Sequence, residues 1–135
     1  MEAQEKLIVN VLAQTGLAKY QTTITSGNHS ILIDEPVSNG GADTGMNPQE
    51  LLLASLGSCT AITLRMYVDR KQWPVNQISV NVELFSIGLI HSIKCVIGYE
   101  GELAPEQESR LVQIAGFCPI HKMLAKSLAI ETVLK

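Results

Sequence analysis

Residues 47–74 read NPQELLLASLGSCTAITLRMYVDRKQWP, and their reading decides the fold. Asn47 is a good helix N-cap, Pro48 suits the first helical position and Glu50 sits in the first turn. No proline interrupts until Trp73-Pro74, so a helix is expected over Pro48–Lys71, about 35 Å long at 1.5 Å per residue. Leu51, Leu52, Leu53, Ala54, Leu56, Ala61, Ile62, Leu64, Met66, Tyr67 and Val68 make it apolar over most of its circumference. A surface helix would carry a narrower stripe. Only the tail, Asp69-Arg70-Lys71-Gln72, is plainly polar. A chain of 135 residues has little material to wrap such a helix, so a second copy is expected to cover part of it.

Outward from this helix the chain reads as strands. Upstream, residues 6–14 are β-branched and aliphatic, and Tyr20–Ser26 alternates. Gly27-Asn28 supplies a turn, and Ser30–Asp34 returns as a strand, a hairpin signal. Pro36 to Pro48 is a loop rich in turn residues. Downstream, Gln77–Phe85 alternates Ile78, Val80, Val82 and Leu84 against polar residues, the pattern of a half-buried strand. Ser92–Tyr99 is a second such strand, and Ser86–His91 between them is ambiguous. Pro105 opens a helix that Gly116 should stop; Cys118-Pro119 starts a short helix through Leu124; Ala129–Leu134 reads as a closing strand. The order β-β-β-α-β-β-α-α-β with antiparallel hairpins specifies a single α+β domain over residues 1–135.

Composition excludes several classes. With 46% hydrophobic and 17% charged residues the chain is not disordered. A net charge of −3 argues against nucleic-acid binding. The first residues, Met1-Glu2-Ala3-Gln4-Glu5-Lys6, lack the features of a signal peptide. Arg65 interrupts the apolar run that begins at Leu51, so no membrane span is expected and a cytoplasmic location is. Three cysteines, Cys59, Cys95 and Cys118, do not form a secreted disulfide framework and point to reduced thiols.

Two of those thiols are candidates for chemistry. Cys59 lies mid-helix between Gly57-Ser58 and Thr60, small residues that let something approach. On position alone the stronger reading is a small buried hydrophobe. Cys118 precedes Pro119, so it caps a helix whose free N–H groups favour thiolate, with His121 and Lys122 within one turn. Its alternative reading is a capping residue in the core. Cys95, between strand residues packed inward, reads as core. Cys118-x-x-His121 is only half of a zinc pattern, and no second pair completes four ligands. The Gly40–Gly45 loop lacks the lysine and hydroxyl of a phosphate loop, and no Gly-x-Ser-x-Gly is present.

The stretch Asn47–Ala61 resembles the central helix motif of the OsmC/Ohr family, the osmotically inducible protein C and organic hydroperoxide resistance proteins. Phe117-Cys118-Pro119-Ile120-His121-Lys122-Met123-Leu124 resembles the family's Cys-Pro segment. The two occur in the right order, and the resemblance covers nearly the whole chain. It implies an OsmC-like fold with antiparallel sheets around a long central helix, and an intertwined homodimer with sites at the subunit interface. It also implies a thiol-dependent peroxidase that reduces organic hydroperoxides without metal, flavin or other cofactor. Cys59 matches the peroxidatic cysteine and Cys118 the resolving one. The peroxidatic thiolate becomes a sulfenic acid, condenses to a disulfide and is restored by an external dithiol.

One departure stands out. Well-studied peroxidase members carry an arginine on an N-terminal strand, held by a glutamate in the helix's first turn. Here the first arginine is Arg65, and the N-terminal strands offer only Lys6 and Lys19. Gln49 takes the glutamate's place with Glu50 one residue later, so Glu50 joins the candidate catalytic set. Nine positions separate it from Cys59, about 180° around the helix, so it would act through a partner group. The alternative function is a non-catalytic dimer that binds a hydrophobic ligand. Thiol reactivity at neutral pH separates the two.

Overall fold

A computed structural model describes residues 3–135. The chain falls into two compact units, residues 1–51 and 52–135, taken here in turn.

In the first unit, strands β1 (Leu12–Thr15), β2 (Thr22–Ser26) and β3 (His29–Ile33) form an antiparallel sheet in the order β1-β2-β3. Gly27, at φ 56°, opens the β2–β3 turn and accepts the left-handed backbone that a side chain would resist. The expected first strand over residues 6–14 is shortened to its last few residues. Leu7, Ile8 and Val9 lie outside any strand with their side chains exposed, because alternation makes a segment fit for a sheet but a strand forms only beside a partner. Past β3 the chain makes a 3-10 turn at Val37–Asn39. Buried Asp34 organises the loop around it. It accepts the N–H groups of Glu35 (2.7 Å), Ala42 (3.2 Å) and Thr44 (3.1 Å) and the Thr44 hydroxyl (2.6 Å).

Helix α1 spans Pro48–Lys71, the limits its N-cap and downstream proline imply. Its start is a reciprocal cap: Asn47 Oδ1 accepts the Glu50 N–H at 2.8 Å, and Glu50 Oε1 accepts the Asn47 N–H at 2.9 Å.

The second unit holds most of α1, the antiparallel pair β4 (Val75–Ile87) and β5 (Ile90–Gly101), and helices α2 (Pro105–Ala115) and α3 (Pro119–Leu124). The ambiguous stretch 86–91 resolves as the tip of one long hairpin. Both strands continue through it to a two-residue turn whose first residue, Gly88, has φ 59°. Leu64, Tyr67 and Val68 of α1 pack with Val75, Leu111 and Ile114 into the core of this unit. Arg65 fastens the end of α1 to the start of β4: it pairs with Asp69 at 2.7 Å and donates to the Val75 carbonyl at 2.9 Å. Arg110 of α2 donates to the Tyr67 hydroxyl at 3.2 Å, which helps seat α2 on α1.

One expectation is corrected here, together with the ground given for a second. The closing strand over Ala129–Leu134 does not form; Ile130, Val133 and Leu134 are exposed, with no strand beside them among the described residues. Nor does Arg65 make α1 unfit for a membrane. The helix is long and apolar enough to cross one, with a mean hydropathy of 1.5 over its best window. Leu64, Tyr67 and Val68 nevertheless belong to the protein core of the second unit.

Candidate thiol site

The site is built from α1, from the α2–α3 connection and from the hairpin. Leu56, Gly57, Thr60, Leu64, Tyr67 and Val68 form the buried stripe of α1, at the three- and four-residue spacings of one helix face. Gly57 lets β4 come close. A Cβ there would stand 3.0 Å from Val82 Cγ2, a contact that forces Val82 to give way. Val82 pairs across the hairpin with Cys95. Cys59 sits at the border of the stripe and is partly exposed.

Cys118 is delivered by the chain reversal after α2. Packing of Leu111 and Ile114 anchors α2, the Phe117 N–H bonds to the Ile114 carbonyl, and Pro119 then opens α3. Cys118 is the α3 N-cap, and its sulfur accepts the His121 backbone N–H at 3.4 Å. It is 0% exposed.

The thiols of Cys59 and Cys118, 59 positions apart in the chain, lie near enough to shift each other's acidity. Their acidities diverge. Burial raises the Cys59 thiol, and its hydrogen bond to Cys118 raises it further. Burial also pushes Cys118 up, but Cys59, the His121 N–H and the Thr60 hydroxyl all favour its anion and together bring it below the ordinary thiol range. Cys95 is raised by burial and by its proximity to Cys118. When the pair loses a proton, these influences favour the anion on Cys118, with Cys59 as the S–H donor.

The other sequence candidates fall elsewhere. Glu50 is committed to the α1 cap, nine residues and about 13.5 Å along the axis from Cys59. Arg65 is committed to Asp69 and the Val75 carbonyl, and so is not a cation for the thiols. His121 serves Cys118 through its backbone, and the Lys122 ammonium lies over the Phe117 ring at 5.3 Å. Among the described residues no cluster of three His, Cys, Asp or Glu side chains could hold a metal. Sequence reasoning passed over Thr60, treated only as a small neighbour of Cys59. The signal was available: it is the polar residue on an otherwise apolar buried stripe.

The OsmC-like protein family model matches residues 40–133, a span that includes both cysteines of the pair. This chain belongs to the OsmC-like family. The fold agrees with solved structures of the family. The OsmC-like protein of Mycoplasma pneumoniae superposes with a TM-score of 0.74 at 17% identity, over 90% of this chain and 89% of that one. The organic hydroperoxide resistance protein OhrB of Bacillus subtilis is 25% identical over 86% of this chain and 89% of its own, with a TM-score of 0.59. An organic hydroperoxide resistance protein of Elizabethkingia anophelis gives 0.64 at 17% identity, covering 89% of each chain. A search of the curated proteins finds no match to the sequence. The OsmC-like fold of this chain is thus an α+β arrangement of antiparallel sheets and one long helix.

Proposed function

We propose that this OsmC-like protein is a thiol peroxidase that reduces organic hydroperoxides through Cys59 and Cys118. The observation that carries the reading is the nearness of these two thiols, each of which shifts the other's acidity. The similarity to OhrB, an organic hydroperoxide resistance protein, supports the substrate class.

Cys59 is the more accessible sulfur and attacks the terminal oxygen of the hydroperoxide. Its proton passes to the Cys118 anion as the S–O bond forms and the O–O bond breaks. The departing alkoxide takes that proton from Cys118 and leaves as alcohol, so Cys59 is left as sulfenic acid and Cys118 as thiolate again. The Cys118 thiolate then attacks the Cys59 sulfur. The disulfide forms, hydroxide leaves and is protonated to water, and an external dithiol restores both thiols by exchange. Glu50 contributes through the α1 cap.

The working unit is a homodimer. Leu52, Ile62 and Met66 of α1 are exposed, and segments 6–11 and 129–134 have no partner strand among the described residues. A second copy supplies cover of the chemistry these surfaces need. Light scattering should return twice the mass of one chain; a stable monomer at micromolar concentration would count against the dimer. For the activity, reduced protein is mixed with an organic hydroperoxide and disulfides are mapped by mass. A Cys59–Cys118 bond is expected. If neither thiol changes, ligand binding replaces catalysis.

A further inference from the structure

Thr60 carries the one buried side-chain oxygen or nitrogen among the described residues that lacks a hydrogen-bond partner. The residue is 1% exposed, so water does not compensate the hydroxyl from outside. A mid-helix threonine or serine commonly satisfies its hydroxyl on a carbonyl three or four residues back. Ser55 and Ser58 on the same helix do this, donating to Leu52 and Ser55 carbonyls at 2.7 and 3.2 Å. Thr60 does not. Its hydroxyl lies instead where it favours the ionised form of Cys118.

A thiol is a weak acceptor, and a thiolate is a strong one. An O–H left idle beside a protonated Cys118 acquires a charge-assisted bond when Cys118 ionises. We propose that Thr60 is a positioning residue of the thiol pair: its hydroxyl donates to the Cys118 sulfur in the anionic state and so fixes the pair's charge on Cys118. In consequence Cys118 is ready to accept the Cys59 proton and later to attack the Cys59 sulfenic acid, a role that rests on the peroxidase reading. The donation itself does not.

Besides Thr60, the groups bearing on Cys118 are the thiols of Cys59 on α1 and Cys95 on β5, and the backbone N–H groups of Ile120 and His121 on α3. The test therefore uses a Cys59→Ser/Cys95→Ser background, in which Cys118 is the remaining thiol. Ultraviolet absorbance of the thiolate is followed against pH with Thr60 intact, with Thr60→Val and with Thr60→Ser. Thr60→Val should lower the thiolate fraction by about tenfold at a fixed pH below the midpoint, the effect of one hydrogen bond to a charge. Thr60→Ser should restore it. An unchanged titration in Thr60→Val overturns the proposal. So does a shift that Thr60→Ser fails to reverse, because the methyl group and not the hydroxyl would then be responsible. In the chain with all three cysteines, single-turnover oxidation by an organic hydroperoxide should show slower disulfide formation in Thr60→Val. If the parent protein does not react at all, the peroxidase reading fails, while the titration still decides the role of Thr60.

Discussion

Two buried polar groups in this protein are treated in opposite ways. Asp34, 1% exposed, accepts four hydrogen bonds from its own loop. Thr60, equally buried, completes none with a neutral neighbour. The carboxylate is saturated, which locks residues 34–44 into one conformation. The hydroxyl is held in reserve beside a group that changes charge. Saturation marks a polar group that builds structure; a buried group left open marks chemistry whose partner state is not always present.

The largest test of this contrast is at the thiols. Cys59→Ser should abolish hydroperoxide turnover, since serine forms no sulfenic acid, and stopped-flow consumption of an organic hydroperoxide reads this directly. Cys118→Ser should leave the first oxidation at Cys59 and eliminate the internal disulfide, which mass mapping distinguishes. A Cys59→Ser protein that retains turnover would end the assignment.

Next in size is Asp34→Asn, which keeps the shape but removes the charge that three N–H groups and a hydroxyl address. It should free the loop, seen as faster amide hydrogen exchange over residues 35–46 and a melting temperature lower by several degrees. The pH dependence has a definite sign. The Thr44 hydroxyl, foremost, and the surrounding N–H groups hold the Asp34 carboxyl below its usual 3.8. Its contribution is therefore complete above the unfolded value and lost as pH falls through the lower folded one. Asp34→Asn should erase that acid-side loss; an unchanged acid profile would show that the network is incidental.

Gly57→Ala should lower stability in denaturant unfolding by about 1 kcal/mol, because the added methyl meets Val82 at 3.0 Å and this crowding outweighs the helix propensity that alanine gains. Pairing it with Val82→Ala should recover part of the loss, and no recovery would place the strain elsewhere. The smallest effect belongs to Glu50→Ala. Loss of one arm of the reciprocal cap should cost about 1 kcal/mol or less. A fall in turnover beyond what that destabilisation explains would return Glu50 to the thiol pair.

These elements also show what the sequence could tell. The limits of α1 were legible because Asn47-Pro48 and Trp73-Pro74 act locally, through capping and through the missing proline N–H. The long hairpin was legible from the alternation of Ile78, Val80, Val82 and Leu84, and Gly88 explains why its ambiguous tip is only a turn. Residues 6–11 and 129–134 have the composition of strands, but pairing is a property of two segments, and one segment's alternation cannot reveal whether its partner lies in the same chain. The proximity of Cys59 and Cys118 came from two family motifs and not from local chemistry. The anion's preference for Cys118 was legible in part, because Pro119 marks it as a helix cap; the help from Cys59 and Thr60 was not, because those donors on α1 meet Cys118 only in the fold. Glu50 was read as a catalytic candidate although the Asn47-x-x-Glu50 spacing is itself a cap signature.

The complete burial of Cys118 has a consequence for damage. Over-oxidation to sulfinic and sulfonic acid needs fresh oxidant to reach a sulfur repeatedly. Cys118 offers no surface to it, whereas Cys59 does. Protein recovered from prolonged oxidative exposure should then carry irreversible oxygen on Cys59 and none on Cys118. The chain would keep a chemical record of stress in one peptide, and the clean Cys118 peptide beside it would serve as the internal reference.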